Sequence, residues 1–158
     1  MQQFDPNIPG LISGDVTTVT VIDPALTFPG FEVGNHVLDS TKPFQVKVDW
    51  VIQGFLAPLW LQALGGNWDV SVYAESLGGG NEIRLGSNDA VAADPNVLSY
   101  TATIDVQGGL LQEHAPGTDV GGIYKLVVAV FLDSNLPGQG FDMIGFNEGP
   151  IVQVESPV

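Results

Sequence analysis

The chain has 158 residues, 44% of them apolar, and eighteen Asp and Glu face four Lys and Arg for a formal net charge of −14. That is one domain's length with enough apolar residues to bury a core, which a disordered composition lacks. Lys42, Lys47, Arg84 and Lys125 are too few for the basic cluster that nucleic acid or an anionic membrane surface requires. The charge favours solubility, cationic partners, calcium or a salty medium instead. Cysteine is absent, which removes disulfides and thiolate metal sites.

Residues 1–15 are a Pro/Gly/Asp-rich N-terminal arm, and residues 16–158 form the domain proper. Met-Gln-Gln-Phe-Asp-Pro has neither a basic n-region nor an apolar h-region, so it does not read as a secretory signal. The compartment stays open between the cytoplasm and, after processing, the cell surface. Within the arm, Asp5-Pro-Asn-Ile-Pro-Gly10 resembles Asp133-Ser-Asn-Leu-Pro-Gly138 far along the chain. Pro followed by Gly suits a type II turn. The repeat is therefore either shared turn chemistry or a sign that both segments touch the same kind of surface.

Residues 16–22 are rich in β-branched side chains and read as a first strand, ended by Asp23-Pro24. A long connection over 25–42 has room for a short strand at 36–39. Residues 43–53 then alternate, with Phe44, Val46, Val48, Trp50 and Ile52 on one face. Residues 68–76 repeat the period with Trp68, Val70, Val72 and Ala74. Period two means a pleated strand with one buried face.

Between these strands, residues 50–68 carry no charge. The length would suit a membrane span, but Gly54, Pro58, Gly65 and Gly66 interrupt it and Asp49 and Asp69 flank it, so no membrane span is expected. A short helix is expected in the 55–65 connector, with Pro58 near its start and Gly65 as its stop. Such a helix is apolar on nearly all sides. It either plugs one end of the domain or presents an interface, with Phe55, Leu59, Trp60 and Leu61 as the anchors a partner would bind.

A Gly-rich turn (Leu77-Gly-Gly-Gly-Asn81) leads into a short strand at 82–86, with no Lys-Ser/Thr after it to make a phosphate loop. Residues 97–106 alternate cleanly, with one wet face. Residues 122–133 are apolar on both sides, Val127 and Phe131 lying on the face that should meet water. Either a loop or another subunit covers that face. The 133–150 stretch reads as a long Gly-rich loop, and residues 150–155 as the last strand. Seven strands without an ordinary helix mean a single antiparallel β-sandwich or barrel.

In this order the strands resemble the immunoglobulin-like β-sandwich superfamily over residues 16–155. Trp68 opens the third main strand, where many such domains bury a Trp, and Asp119-Val-Gly-Gly-Ile-Tyr124 is similar to the Asp-x-Gly-x-Tyr entry of the tyrosine corner. Asp119 stands one residue too far from Tyr124, and Leu126 occupies the place of the usual Cys. The resemblance implies a scaffold, and a scaffold does not imply a function.

The chain's chemistry points away from catalysis. His36 and His114 fall in links, and no Gly-x-Ser-x-Gly elbow is present. A hydrolase would need two carboxylates converging in a cleft. No cofactor is expected. Calcium would find oxygen ligands in Asp133, Asn135, Asp142 and Glu148, although no complete calcium-loop pattern is present. A glycan would need exposed aromatic platforms, for which Trp60, Tyr73 and Phe141 are the candidates, Tyr73 and Phe141 foremost. The leading expectation is a non-enzymatic sandwich acting through protein–protein contact. It would be a self-assembling, bacterial-type structural or surface-associated subunit, a homo-oligomer or a partner to another protein. The alternative is a carbohydrate- or calcium-dependent binding module.

Overall fold

The computed structural model describes residues 2–23, 36–80, 82–114, 117, 121–138 and 142–156. The alternating stretches all become strands, packed as two sheets in an all-β sandwich. β2 (Ser13–Ile22), β4 (Phe44–Gln53) and β7 (Ser99–Val106) form the smaller sheet, with β4 in the middle and both pairings antiparallel. The larger sheet runs β1 (Gln2–Asp5), β9 (Ile144–Glu155), β8 (Ile123–Asp133), β5 (Asn67–Ser76), β6 (Ile83–Ala92). β3 (Val37–Asp39) pairs with β9 in parallel, from Val37 opposite Gln153 to Asp39 opposite Glu155.

Alternation in the sequence becomes alternation in burial. Along β4 the residues Phe44, Val46, Val48, Trp50 and Ile52 are buried, and along β5 so are Trp68, Val70, Val72 and Ala74. The aromatic centre of this core holds Trp50 stacked on Tyr100 at 5.5 Å between ring centroids, with Trp68 edge-on to Trp50 at 5.7 Å. Edge and offset geometries are the favourable ones for aromatic quadrupoles. The Tyr100 hydroxyl donates to the Asp94 carbonyl at 3.0 Å and accepts from the Asp94 N–H at 3.1 Å. Burial pushes the Tyr100 phenol up from its ordinary value.

The outer faces of the two sheets differ. On the smaller sheet, Thr18 donates to the Asp49 carboxylate at 2.5 Å and Gln45 donates to that of Asp105 at 2.8 Å, which makes a polar, wet surface. On the larger sheet the register brings Phe131 of β8 opposite Ile144 of β9, and Ala129 opposite Phe146. Lys125, also on this face, sits 3.4 Å from Glu148 and 3.6 Å from Glu75, and the Glu148 carboxylate raises its pKa above the usual lysine range.

The two sheets meet along two seams, and each is bridged by an asparagine amide. Asn147 of β9 donates to the Val16 carbonyl of β2 at 2.8 Å, and Asn88 of β6 donates to the Thr103 carbonyl of β7 at 3.1 Å. Edge strands carry unpaired backbone groups that invite other strands, and these amides occupy part of that capacity.

Three elements differ from the sequence reading. β6 runs to Ala92 instead of stopping near residue 86, because its register shifts against β5 break the alternation that would mark it. β9 begins at Ile144, inside the stretch that reads as a loop, since its glycines hide the strand pattern. The Pro/Gly/Asp-rich arm carries a strand that its composition does not mark: residues 2–5 lie on the outer edge of β9, Gln2 opposite Asn147 and Asp5 opposite Ile144. The short helix is present as α1 (Ala57–Leu64). No helix among the described residues is long and apolar enough to cross a membrane.

Candidate functional site

Strand directions place four connections at one end of the sandwich. These are the turn at 6–12, the connector at 54–66, the 93–98 link and the loop that starts at residue 134. The first two are fastened together. Phe55 N–H donates to the Gly10 carbonyl at 3.2 Å and Leu56 N–H to the Leu11 carbonyl at 2.9 Å. The connector and the 134 loop are fastened likewise, Asn135 N–H donating to the Leu64 carbonyl at 2.9 Å. Gly54 and Gly66 make these joints possible. Both have positive φ, and a Cβ on either would collide with backbone, that of Leu11 for Gly54 and that of Asp133 for Gly66.

The helix covers only one of its faces. Ala57, Leu61 and Leu64 are buried, the i, i+4, i+7 stripe of an amphipathic helix. Leu61 is thus a core residue and does not reach a partner, a correction to its place among the surface anchors. Trp60 is half-buried and packs against the core. The other two candidate anchors are at the surface: Phe55 is 77% exposed and Leu59 63%. Beside them the 6–12 turn leaves Ile8 47% exposed and Leu11 41% exposed. Ile8, Leu11, Phe55 and Leu59 are therefore exposed apolar side chains at one pole, carried on two segments whose backbones are hydrogen-bonded to each other. Sequence reasoning missed Ile8 and Leu11, although the repeated motif was the signal that could have found them. Its two copies lie at this same pole, with Leu136, the counterpart of Ile8, 41% exposed.

The outer face of β8 is the second candidate surface. Val127 is half-buried and Phe131 is 37% exposed, with Ile144 exposed beside it. Tyr73 lies on the same face, opposite Val127 on one side and Arg84 on the other, and is half-buried. Phe141 and Asp119 lie outside the described residues.

A groove of about 670 Å³ opens where the arm meets the body, lined by Phe4, Asp5, Asn7, Asp15, Gln53 and Phe146 among others. One carboxylate oxygen of Asp15 is shielded from solvent without a hydrogen-bond partner. Tyr73 does not line this groove. The arm enters it through Phe4, whose ring fills a slot between Gly14 of β2 and Gly145 of β9. A Cβ at either glycine would stand 2.5 Å from the ring.

The oxygen ligands proposed for calcium do not assemble. Asp142 accepts from the Ser134 N–H at 3.3 Å, while Glu148 sits up the β9 strand against Lys125. No cluster of three or more His, Asp or Glu side chains suited to a metal ion occurs among the described residues. Nδ1 of His36 lies 3.1 Å from the Ile151 carbonyl, and His114 is exposed.

Compared with models of known protein families, with curated proteins and with solved structures, the chain matches none.

Proposed function

We propose that this protein is a non-enzymatic β-sandwich that works by protein–protein contact, as a self-associating structural or surface-associated subunit. The apolar pole carries this reading: Ile8, Leu11, Phe55 and Leu59 project from one rigidly tied end of a molecule that otherwise carries strong negative charge. Exposed apolar groups gathered at one end of a domain support a contact site, with a large aromatic as the usual anchor. The scaffold is read as immunoglobulin-like. The strand order, the buried Trp68, and the Tyr124 hydroxyl bonded to both the carbonyl and the N–H of Gln112, at 2.9 and 3.1 Å, support that.

Light scattering after size exclusion, in low and high salt, tests the proposal. The expected result is a discrete oligomer or polymer that the pair Phe55→Ser and Leu59→Ser dissociates. Both residues are too exposed to matter to the fold, so stability should change by only about 0.5 kcal/mol. A strict monomer at high concentration would refute self-association. Dissociation by Phe131→Ser but not by the pole pair would move the contact to the face of the larger sheet.

The groove favours a second reading, a carbohydrate- or calcium-dependent binding module. Its lining brings together two phenylalanines, Phe4 and Phe146, two acids, Asp5 and Asp15, and two amide residues, Asn7 and Gln53. Thermal denaturation across a calcium series and a glycan panel tests it. A rise in midpoint that Asp15→Asn abolishes would favour this reading, and no shift anywhere would retire it.

A further inference from the structure

We infer that the N-terminal strand is exchangeable. In the self-associated protein, β1 of one copy pairs with β9 of a second copy, and its Phe4 occupies that copy's slot between Gly14 and Gly145. This rests on the self-association proposed above and names the contact that would fasten it.

Three observations carry the inference. The slot is built for this ring: two strands from different sheets each supply a glycine at the place where the ring lies, and any larger residue would fill it. The occupant is therefore specified as a phenylalanine on an extended strand, and a second copy offers the same one. Next, β1 is a small separable unit. It touches β9 over the register Gln2–Asn147 to Asp5–Ile144 and is joined to the body through Pro6 and Asn7. The chain after that is fixed, since Ile8 and Ile12 bridge each other and Gly10 and Leu11 hold the connector. The pivot thus lies at the base of the arm, and the body beyond it need not change when the arm leaves. Finally, the pivot adjoins Ile8 and Leu11 of the apolar pole. Copies meeting at their poles bring arm bases side by side. All four β1 residues are used in the β9 register, so the crossing between copies falls to Pro6 and Asn7 at the base of the arm.

Exchange conserves every β1 contact, so its balance is set by concentration and by the new contact between poles. The closed form benefits from an effective concentration in the millimolar range for a short tether. Exchange is accordingly a property of the associated state and not of dilute monomer.

Cysteine trapping in the full chain tests this, because the protein has no cysteine of its own. Gln3 lies opposite Phe146 and Asp5 opposite Ile144 in the β1–β9 ladder. Directly opposed strand positions are at disulfide distance. The variants are Gln3→Cys/Phe146→Cys and, as a second pair should the first not fold, Asp5→Cys/Ile144→Cys. Each is oxidised in a glutathione buffer from the associated fraction and run on a denaturing non-reducing gel. The expected product is a covalent dimer or ladder, and mixed Gln3→Cys and Phe146→Cys single variants should give the mixed dimer. If wild-type protein associates by light scattering but the cross-link closes only within one chain, exchange is overturned and self-association stands. If wild-type protein is monomeric throughout, both fail. If neither pair cross-links at all, the arm does not hold this register in any form, and the inference is overturned.

Discussion

Replacing Gly14 with alanine gives a sharp test of how the arm is held. The three atoms nearest the new Cβ all belong to the Phe4 ring, two of them at 2.5 Å. That is about 1 Å inside van der Waals contact, so the ring and the methyl cannot share the slot. The φ of Gly14 is not in the left-handed region, so alanine suits the β2 backbone and the conflict lies only with the arm. A fully buried Phe side chain contributes ~1.5–3 kcal/mol. Phe4 is half-buried, so expelling it should cost ~1 kcal/mol, offset by ~0.5–1 kcal/mol because alanine favours a strand more than glycine does. Global stability by urea denaturation should therefore fall by no more than ~0.5 kcal/mol, while amide protection along β1 and its partners is lost. In a Phe4→Ala background the conflict is gone, and Gly14→Ala should become stabilising by ~0.5 kcal/mol. Hydrogen exchange and denaturation of the four-member cycle give both readouts. The same cost with and without Phe4, or intact β1 protection in Gly14→Ala, would refute the slot argument.

Three further outcomes follow from the fold. Trp68→Ala should cost ~3–5 kcal/mol by chemical denaturation, because it removes the edge-on partner of Trp50 from the centre of the core. Tyr124→Phe should cost ~1–2 kcal/mol, since the lost hydroxyl leaves both the N–H and the carbonyl of Gln112 without it. Asp39 accepts from the side chain and backbone of Thr41 at 2.7 and 2.9 Å, and these bonds hold its carboxyl below the usual range. A depressed folded pKa stabilises above the unfolded pKa, and the contribution disappears as pH falls through the folded one. Asp39→Asn should therefore lower stability slightly at neutral pH, converge with wild type at pH values below the folded pKa, and so flatten the acid limb below the ordinary carboxylate range. An acid limb as steep as wild type's would count against this.

The strands that sequence reasoning found are those whose two faces meet different surroundings. β4, β5 and β7 each bury one side, and their alternation reads directly. β8 was also legible, because its outer apolar residues are real and remain half-buried or exposed. The hidden parts share a cause. β1 is too short to show a period, and the glycines that accommodate its Phe4 look like loop residues until the ring is seen against them. In β9, Gly145 and Gly149 interrupt the pattern for the same kind of reason, Gly149 lying where a Cβ would press on Val19. Burial of individual helix residues was also beyond reach. With Leu59, Trp60 and Leu61 in succession, composition alone does not say which one faces inward.

The asparagine amides across the two seams have a consequence for ageing. Each seam is joined by a donor that a single hydrolysis would convert to a carboxylate, an acceptor facing an acceptor. At Asn147 the change would set a new anion against the Val16 carbonyl, in a protein already far on the acidic side. At Asn88 it would do the same to Thr103, while the second bond there, accepted from the Ala90 N–H, would survive. The sandwich thus has two chemical clocks of unequal severity, and the one beside the arm would open the margin where β2 faces β9.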